Sequence, residues 1–469
     1  MKNSRLLQLL ETFSRAELRE FDRFVRSPYF NRQDELVDLL GLLLPLLSAQ
    51  RPVPEKPQIF DQLFPRQPYE DTQMRLMMSR LLKLAEQFLA LNAWQADDLG
   101  VQAGVMTAYR KRNLPAHFAS AARLLSDQLE AGAYRDQAYH QLHFIREEQQ
   151  HLLNSGQLRV RDLNLEEIHR HLDLAYFIAK LRYACLALSR QQVYRKDYDP
   201  GILPAVLKYI RKNDLLRFPA VSLYFHALES LENPGKAGCF DRFKDLLRTH
   251  LGVLPGEESR DLLLIAINYC IRRLNEGERA FAHEGLALYQ FGLEKGILTE
   301  KGELSRFTYR NIAAMAIKTD ALDWAETFIH QYRDQLPSEY RESMYSFSLA
   351  QLAYRRRQFD QALNLLQKTE YQDLLFNLAA KTLQMKIYYE NSAFDLLHSH
   401  LDAMKVFLGR KRILGYHRNN YLAIIRYAKK LLTVNPYDKD ALEKLRQQVE
   451  REETLTEREW LLEQVDVLN

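Results

Sequence analysis

The sequence predicts an all-α fold in which antiparallel helix pairs stack on one another as an α-solenoid. Turn-forming residues are scarce, since the chain of 469 residues contains only 17 Gly and 15 Pro. Residues of high helix propensity, above all Leu, Ala, Arg, Gln, Glu and Lys, make up much of the chain instead. Short breaks rich in Gly, Pro and Asn recur about every 20 residues through the middle of the chain, a length that suits one helix and its loop. The sequence therefore contains few segments that could form β-strands.

Composition and charge exclude several classes of protein. Hydrophobic residues make up 46% and charged residues 27% of the chain, which indicates a folded protein and not a disordered one. The net charge of +4 is close to neutral for this length, so only a local surface could bind a polyanion. Cys185, Cys239 and Cys270 are widely spaced and form no CxxC pair, which argues against a zinc ribbon and fits a reducing compartment.

The sequence shows no feature that would direct it to a membrane. Its amino-terminal segment becomes charged at once and lacks the apolar region of a signal peptide. No apolar run reaches the roughly 18 residues that span a bilayer. We therefore expect a cytoplasmic protein without a membrane partner.

The amino-terminal part of the chain, up to about residue 95, predicts a small helical module. Ser14 and Glu17 have the spacing of a capping box and are expected to open a helix. Asn31 is expected to cap the next helix. The stretch Arg51–Pro57 (RPVPEKP) is the clearest linker in the chain. A long amphipathic helix is then expected from Glu70 to about Asn92.

The C-terminal half repeats a pattern of bulky and small residues at helical spacing. One unit covers residues 306–337, and its pattern residues are Tyr309, Ile312, Ala313, Ala316, Ala325, Ile329 and Pro337. A second unit covers residues 343–369, and its pattern residues are Leu349, Ala350, Ala353, Phe359, Ala362 and Leu366. Small residues let neighbouring helices approach closely, and bulky residues fill the space between layers. The pattern resembles the tetratricopeptide repeat (TPR), whose period is about 34 residues.

The resemblance to TPR proteins covers about residues 260–410. Weaker units match the pattern at Leu262, Ile265, Ala266 and Tyr269, and again at Tyr388, Phe394 and Leu397. The resemblance implies a right-handed superhelix of stacked helix pairs with a groove that can hold a peptide. The chain is also similar to an uncharacterised bacterial family of helical-repeat proteins, through AINYCIRRLNEGE (ending at residue 278) and KIYYE (386–390). That similarity implies no activity.

These patterns divide the chain into four regions. They are an N-terminal helical module (1–95), degenerate helical repeats (96–255), TPR-like repeats (256–435) and C-terminal capping helices (436–469). Within the last region, Thr456 and Glu459 have the spacing of a capping box and are expected to open a helix just before Trp460.

The TPR resemblance suggests where a peptide would bind. In TPR proteins that hold peptides, residues near the start of each first helix face the groove, and Arg310 and Asn311 occupy two such places here. Both side chains could hold a peptide carboxylate or backbone. The next unit carries Phe347 and Ser348 at the corresponding places, so packing or hydrogen bonding between helices is the alternative role for the pair.

A basic stripe near the C-terminus is the strongest surface feature of the sequence. Its members are Lys405, Arg410, Lys411, Arg412, Arg418, Arg426, Lys429 and Lys430. Tyr416 and His417 add ring surface beside them, and a neighbouring arc of the same helix is apolar. Such a stripe could bind nucleic-acid phosphates or an acidic protein segment. The alternative is a solvated helix face whose charges are balanced by acids such as Glu450, Glu452 and Glu453.

A histidine array offers a weak candidate for a metal site. His140, His143, Glu147 and His151 share one helical face, and Glu166-x-x-His169 with His171 follows on the next helix. These are ligand types of zinc and di-iron centres, but a full di-iron set needs a second Glu-x-x-His motif. An ordinary polar helix face is the alternative.

Two Arg-x4-His strings match the active-site pattern of helical HEPN ribonucleases. They are Arg146 with His151 and Arg112 with His117, and a chain rich in Arg and His produces such matches by chance. Nucleotide-binding loops, nucleophile elbows and HExxH motifs do not occur in the sequence. We therefore expect a non-catalytic scaffold without a cofactor that binds a protein or peptide partner. The alternatives are a nucleic-acid-associated regulator that uses the basic stripe and a metal-dependent or HEPN-like enzyme.

Overall fold

The computed structural model describes residues 4–155, 164–194, 197–367, 373–410 and 415–468. These residues form 23 α-helices and one small antiparallel β-hairpin, and consecutive helices pack against each other in pairs. The predicted all-α class with paired helices is therefore confirmed. The chain divides into two compact units, residues 1–180 and 181–469, and the division lies inside helix α9. The four regions proposed from the sequence stay a prediction.

The first unit contains eight complete helices and the start of a ninth. They are α1 (Arg5–Leu10), α2 (Arg15–Arg26), α3 (Asp34–Ser48), α4 (Lys56–Leu63), α5 (Asp71–Gln95), α6 (Asp98–Lys111), α7 (Pro115–Ala131), α8 (Gln137–Asn154) and α9 (Leu165–Tyr194). Helices α1 to α5 enclose one apolar core, in which the rings of Phe21 and Phe88 lie 5.4 Å apart. The module predicted at the amino terminus is thus held together by its own core.

Two predicted helix caps in this module have different outcomes. The capping box at α2 forms, because Ser14 Oγ accepts from the Glu17 N–H at 3.2 Å and Glu17 Oε2 accepts from the Ser14 N–H at 2.7 Å. Asn31 was expected to cap α3, and this prediction is wrong. Its buried amide donates to the carbonyl oxygens of Val25 and Gln33 and so fixes the turn between α2 and α3, while Gln33 precedes the helix. Asparagine stabilises turns in this way by mimicking a backbone group.

The second unit contains the remaining helices in chain order. They are α10 (Leu203–Lys212), α11 (Pro219–Glu232), α12 (Cys239–His250), α13 (Gly256–Asn275), α14 (Phe281–Glu294), α15 (Arg306–Lys318), α16 (Leu322–Gln331), α17 (Arg341–Arg355), α18 (Phe359–Gln367), α19 (Leu374–Glu390), α20 (Phe394–Arg410), α21 (Gly415–Thr433), α22 (Lys439–Arg451) and α23 (Arg458–Leu468). Short 3-10 turns lie at Leu215–Arg217, Leu251–Val253 and Arg333–Gln335.

The sequence did not predict the β-hairpin between α14 and α15. Strands β1 (Thr299–Glu300) and β2 (Glu303–Leu304) pair through a turn at Lys301 and Gly302, both of which have positive φ angles. Two successive positive φ angles are typical of the tight turns that match strand twist. Each strand has only two residues, too few to show alternation in the sequence.

The alanines of the two clearest repeat units lie in the core of the second unit. Ala313, Ala325, Ala350 and Ala362 are all fully buried, as their place in the repeat pattern predicts. Helix α15 is joined to α16 by the Tyr309 hydroxyl, which donates to the carbonyl oxygen of Ile329 at 2.7 Å. Since a larger side chain at an alanine position would push these helices apart, the small residues set the spacing of the pairs.

The last helix begins differently from the prediction. The expected capping box does not form, since Thr456 Oγ1 is buried and has no hydrogen-bond partner among the described residues. Glu457, directly before α23, has a φ angle of 59°, so the chain turns through the left-handed region where a capping box needs extended backbone. The Thr456 N–H donates instead to Asn420 Oδ1 on α21 at 2.5 Å.

Candidate functional site

The first helices of three successive pairs share one surface in the second unit with helix α21. We call this surface, formed by α15, α17, α19 and α21, the first-helix face. The guanidinium carbon of Arg310 on α15 lies 5.5 Å from the ring centroid of Phe376 on α19. The Phe376 ring in turn packs against Phe347 on α17 at 4.7 Å. Burial raises the pKa of Tyr421 on α21, and the positive charge of Arg310 counteracts part of that rise.

The amino-terminal part of this face, formed by the early turns of its helices, combines cations with an exposed ring. Phe307 is 60% exposed, an unusual position for a phenylalanine in a folded chain. The Arg306 guanidinium lies 4.7 Å from the Phe307 ring and 4.0 Å from the Tyr340 ring, and it pairs with Asp373 at 3.4 Å. A planar cation beside an accessible ring can hold both apolar and anionic groups of a ligand.

Three buried polar atoms on α17 and α19 have no hydrogen-bond partner among the described residues. They are Ser348 Oγ, Gln351 Oε1 and Asn377 Oδ1. Ser348 and Gln351 lie one helical turn apart on α17, and Asn377 directly follows Phe376 on α19. Buried polar groups in proteins are nearly always hydrogen-bonded, because leaving one unpaired costs about 1–3 kcal/mol. Because all three atoms are closed off from solvent, a ligand could pair with them only after neighbouring side chains move.

The two groove residues proposed from the sequence have different surroundings. Arg310 is half-buried and contacts Phe376, as described above. Asn311 is exposed, and its side chain counteracts part of the rise in the pKa of Tyr289 on α14, which burial raises to about 12. Arg310 is the member of the pair that contacts a ring of the first-helix face.

The carboxyl-terminal part of the first-helix face is covered by the end of the chain. Lys318 on α15 pairs with Glu459 of α23 at 2.8 Å, and Lys386 on α19 pairs with Glu457 at 2.8 Å. On α17, burial and then a hydrogen bond to Glu390 raise the pKa of Tyr354, and the negative charges of Glu457 and Glu463 add to the rise. Side chains of the C-terminal segment thus contact α15 and α19 directly.

The basic stripe is partly neutralised within the chain. Arg426 pairs with Glu452, Lys429 with Asp402 at 2.6 Å, and Lys430 donates to Gln448 at 2.5 Å. The hydrogen bond from Lys429 lowers the pKa of Asp402.

The other cations of the stripe divide into two groups. Lys405, Arg410 and Arg418 are exposed and form no ion pair with the described residues. Lys411 and Arg412 lie outside the described residues, as do the side chains of Tyr416 and His417. Three cations therefore remain available to an anionic ligand in the described part of the stripe.

The histidine array forms a cluster, but with a different third member. His140 Nδ1 and His171 Nδ1 lie 3.1 Å apart, and the His143 ring stacks on the His171 ring at 4.7 Å. All three rings are buried, whereas His151 is only half-buried. Burial lowers the pKa of His140 to about 3 and that of His171 to about 4.

The other members of the array have partners of their own. Glu147 accepts a hydrogen bond from the Asn164 amide at 2.7 Å and pairs with Arg146 at 2.6 Å. Arg146 also donates to Ser126 Oγ at 3.1 Å, so the guanidinium of the first HEPN-like string is engaged in helix packing. Within the described ranges, no group of three or more His, Cys, Asp or Glu side chains could hold a metal ion.

A cavity of about 310 Å³ lies in the second unit where the loops after α11 and α13 meet. Stacked rings of Phe240 and Tyr269, 4.2 Å apart, form part of its wall. Lys244 also lines the cavity and pairs with Glu284 at 2.7 Å, so its charge is balanced. The loop Gly235–Gly238 lines the cavity and lacks the spacing of a phosphate-binding loop.

A buried carboxylate joins three helices near the start of the second unit. Glu258 on α13 accepts from the Tyr224 hydroxyl on α11 at 2.5 Å and from Arg182 on α9 at 2.8 Å. Burial and the hydrogen bond to Glu258 both raise the pKa of Tyr224. Both oxygens of the Glu258 carboxylate accept a hydrogen bond, so this group is best explained as a link between helices.

Comparison of the chain with protein-family models, curated proteins and solved structures found no match. The described helices include none with the length and apolarity required to cross a bilayer.

Proposed function

We propose that the second unit binds a peptide segment of a partner protein across the amino-terminal part of its first-helix face, without chemistry of its own. The observation that carries this proposal is the exposed Phe307 ring beside the Arg306 guanidinium, with Arg310 and Phe376 in contact on the same face. Amide and hydroxyl groups can pair with a peptide backbone, and a guanidinium can pair with a carboxylate. The exposed Phe307 ring would add apolar contact.

The proposal places this interaction in the cytoplasm. The thiols of Cys185, Cys239 and Cys270 are all free, which suits a reducing compartment. Burial raises the pKa of the Cys185 thiol and raises that of Cys270 to about 12, so neither is activated as a nucleophile.

A peptide library displayed on phage tests the proposal with the intact chain as bait. Peptides that bind should lose about 10-fold or more in affinity on Arg310→Ala or Asn377→Ala, because a hydrogen bond to a charged group contributes about 1.5–3 kcal/mol. Arg248→Ala and Asn364→Ala remove the same chemistry from exposed positions on second helices and should leave affinity unchanged. If no peptide is enriched, or if every enriched peptide tolerates the face variants, the proposal fails.

The basic stripe supports a second candidate function, the binding of nucleic acid. The favouring observation is that Lys405, Arg410 and Arg418 are exposed and form no ion pair with the described residues. Arg426 and Lys429, by contrast, are already paired within the chain. A charge-reversal test should therefore start with the three exposed cations.

A further inference from the structure

Helix α23 contacts the first-helix face through complementary charges. Each of the acidic residues Glu457 and Glu459 meets a lysine on a different helix, Lys386 on α19 and Lys318 on α15. The Lys318 and Glu459 side chains are both about half exposed, so this pair lies at the rim of the contact. Rim charges of this kind select the partner of an interface more than they stabilise it.

An indole ring anchors the centre of the same contact. Trp460 is almost fully buried and donates its Nε1–H to Glu390 Oε1 at 2.8 Å. Its ring meets that of Tyr389 edge-on at 5.5 Å. The Tyr354 hydroxyl donates to the same carboxylate oxygen, so residues of both α17 and α19 form the site that holds the tryptophan. A buried tryptophan inside a polar rim is the arrangement of an interface hot spot.

The seating of α23 leaves several local groups unsatisfied. Glu457 adopts a left-handed backbone conformation that side chains other than glycine rarely take. Thr456 Oγ1 and Arg458 Nε are buried without a hydrogen-bond partner among the described residues. These costs offset part of the stabilisation that α23 gains by burying Trp460, Leu461 and Val465 in the core.

We propose that the carboxyl-terminal part of the first-helix face is a docking site for an acidic helix of a partner protein that carries a tryptophan, and that α23 is its resident occupant. This inference rests on the proposed peptide-binding function and names the class of ligand for the second half of the same face. The ligand competes with α23 for Lys318, Lys386 and Glu390. Binding is then limited by how readily α23 leaves.

The test uses the whole chain and a labelled synthetic peptide of residues 452–468 as the probe. The variant Glu457→Lys/Glu459→Lys places like charges against Lys386 and Lys318, while the face itself stays unchanged. The peptide should bind this variant at least 10-fold more tightly than it binds the wild-type chain. Glu443→Lys/Glu453→Lys makes the same charge change at exposed positions and should leave peptide affinity at the wild-type level.

Two further measurements decide between docking and a purely structural helix. In Glu457→Lys/Glu459→Lys, amide hydrogens of α23 should exchange faster than those of α21. The milder Glu457→Gln/Glu459→Gln should also speed exchange in α23, and it serves as the test if the lysines disturb folding. Adding Lys318→Glu/Lys386→Glu to the lysine variant makes the charges of α23 and the face complementary again, so peptide affinity should return to the wild-type level or below it. Equal protection of α23 and α21 in both variants, or a released α23 without a gain in peptide affinity, overturns the inference. The phage-selected peptides test the amino-terminal part of the face separately. Failure of the α23 proposal can therefore be distinguished from failure of the proposed peptide-binding function.

Discussion

Acidification should loosen the contact between α8 and α9, because three buried histidines meet there. The contact between His140 Nδ1 and His171 Nδ1 at 3.1 Å requires one protonated and one unprotonated nitrogen, so it is lost when both rings carry two protons. Burial is the main cause of the low pKa values, and the other facing histidine adds to it. The surrounding cations Arg135, Arg146 and Arg170 also oppose protonation, whereas Glu130 and Glu147 favour it at His143.

The size of the effect follows from the two pKa values. The folded pKa is about 3 for His140 and about 4 for His171, below the ordinary value of 6.5, so the unfolded chain binds more protons in between. The contribution of these histidines to the free energy of opening is therefore fully present above about pH 6.5, and it is lost as the pH falls toward their pKa values in the folded state. Between pH 8 and pH 5, each histidine should lower the free energy of opening by about 2 kcal/mol, and the pair by about 4 kcal/mol.

Hydrogen exchange of the α8 amides, corrected for the intrinsic effect of pH on exchange, measures this free energy. His140→Asn should reduce the loss to about 2 kcal/mol, because the asparagine amide occupies the place of Nδ1 without titrating. His283→Gln, at an exposed site in the second unit, should leave it unchanged. An opening free energy that stays constant between pH 8 and pH 5, or an unaltered slope in His140→Asn, would refute the reasoning.

Three other predictions concern the second unit. Tyr224→Phe should lower its free energy of unfolding by about 1–3 kcal/mol in urea denaturation, since it leaves one oxygen of the buried Glu258 carboxylate without its donor, and an unchanged midpoint would contradict the role of that hydroxyl. Ala350→Leu should cost about 1–3 kcal/mol in the same assay, because α17 has no room for it, whereas a neutral result would show that the helix pair can separate. If the basic stripe binds duplex DNA, Lys405→Glu/Arg410→Glu/Arg418→Glu should reduce the slope of log affinity against log salt by about 3, and an equal slope would exclude these cations.

The features that the sequence predicted well are local ones. The buried alanines and the capping box at Ser14 depend on residues within one helix or one helix pair, where spacing alone defines the contact. The cap at Thr456 was predicted wrongly, because the left-handed turn at Glu457 comes from the way the segment lies against α21. Helix periodicity contains no information about such a turn.

The composition of each candidate site depended on contacts between distant parts of the chain. His171 joins the histidine cluster because α9 packs on α8, and His151 stays outside it although it shares a helix face with His140. Lys318 and Glu459 are separated by 141 positions and still form an ion pair. Only the tertiary structure brings such residues together, so a single sequence could suggest Arg310 as a binding residue but could not show that α23 packs against the same set of helices.

The rate at which the buried thiols react with an alkylating reagent reports how often the helices around them open. Cys185 lies in the core beside α11, and Cys270 lies in the core of the α13–α14 pair, both beyond the reach of an alkylating reagent in the folded state. Cys239, at the start of α12, is half-buried and should react first. The order and rate of thiol labelling, followed by mass spectrometry under native conditions, would therefore report which helix pairs separate when a ligand arrives, with no added probe.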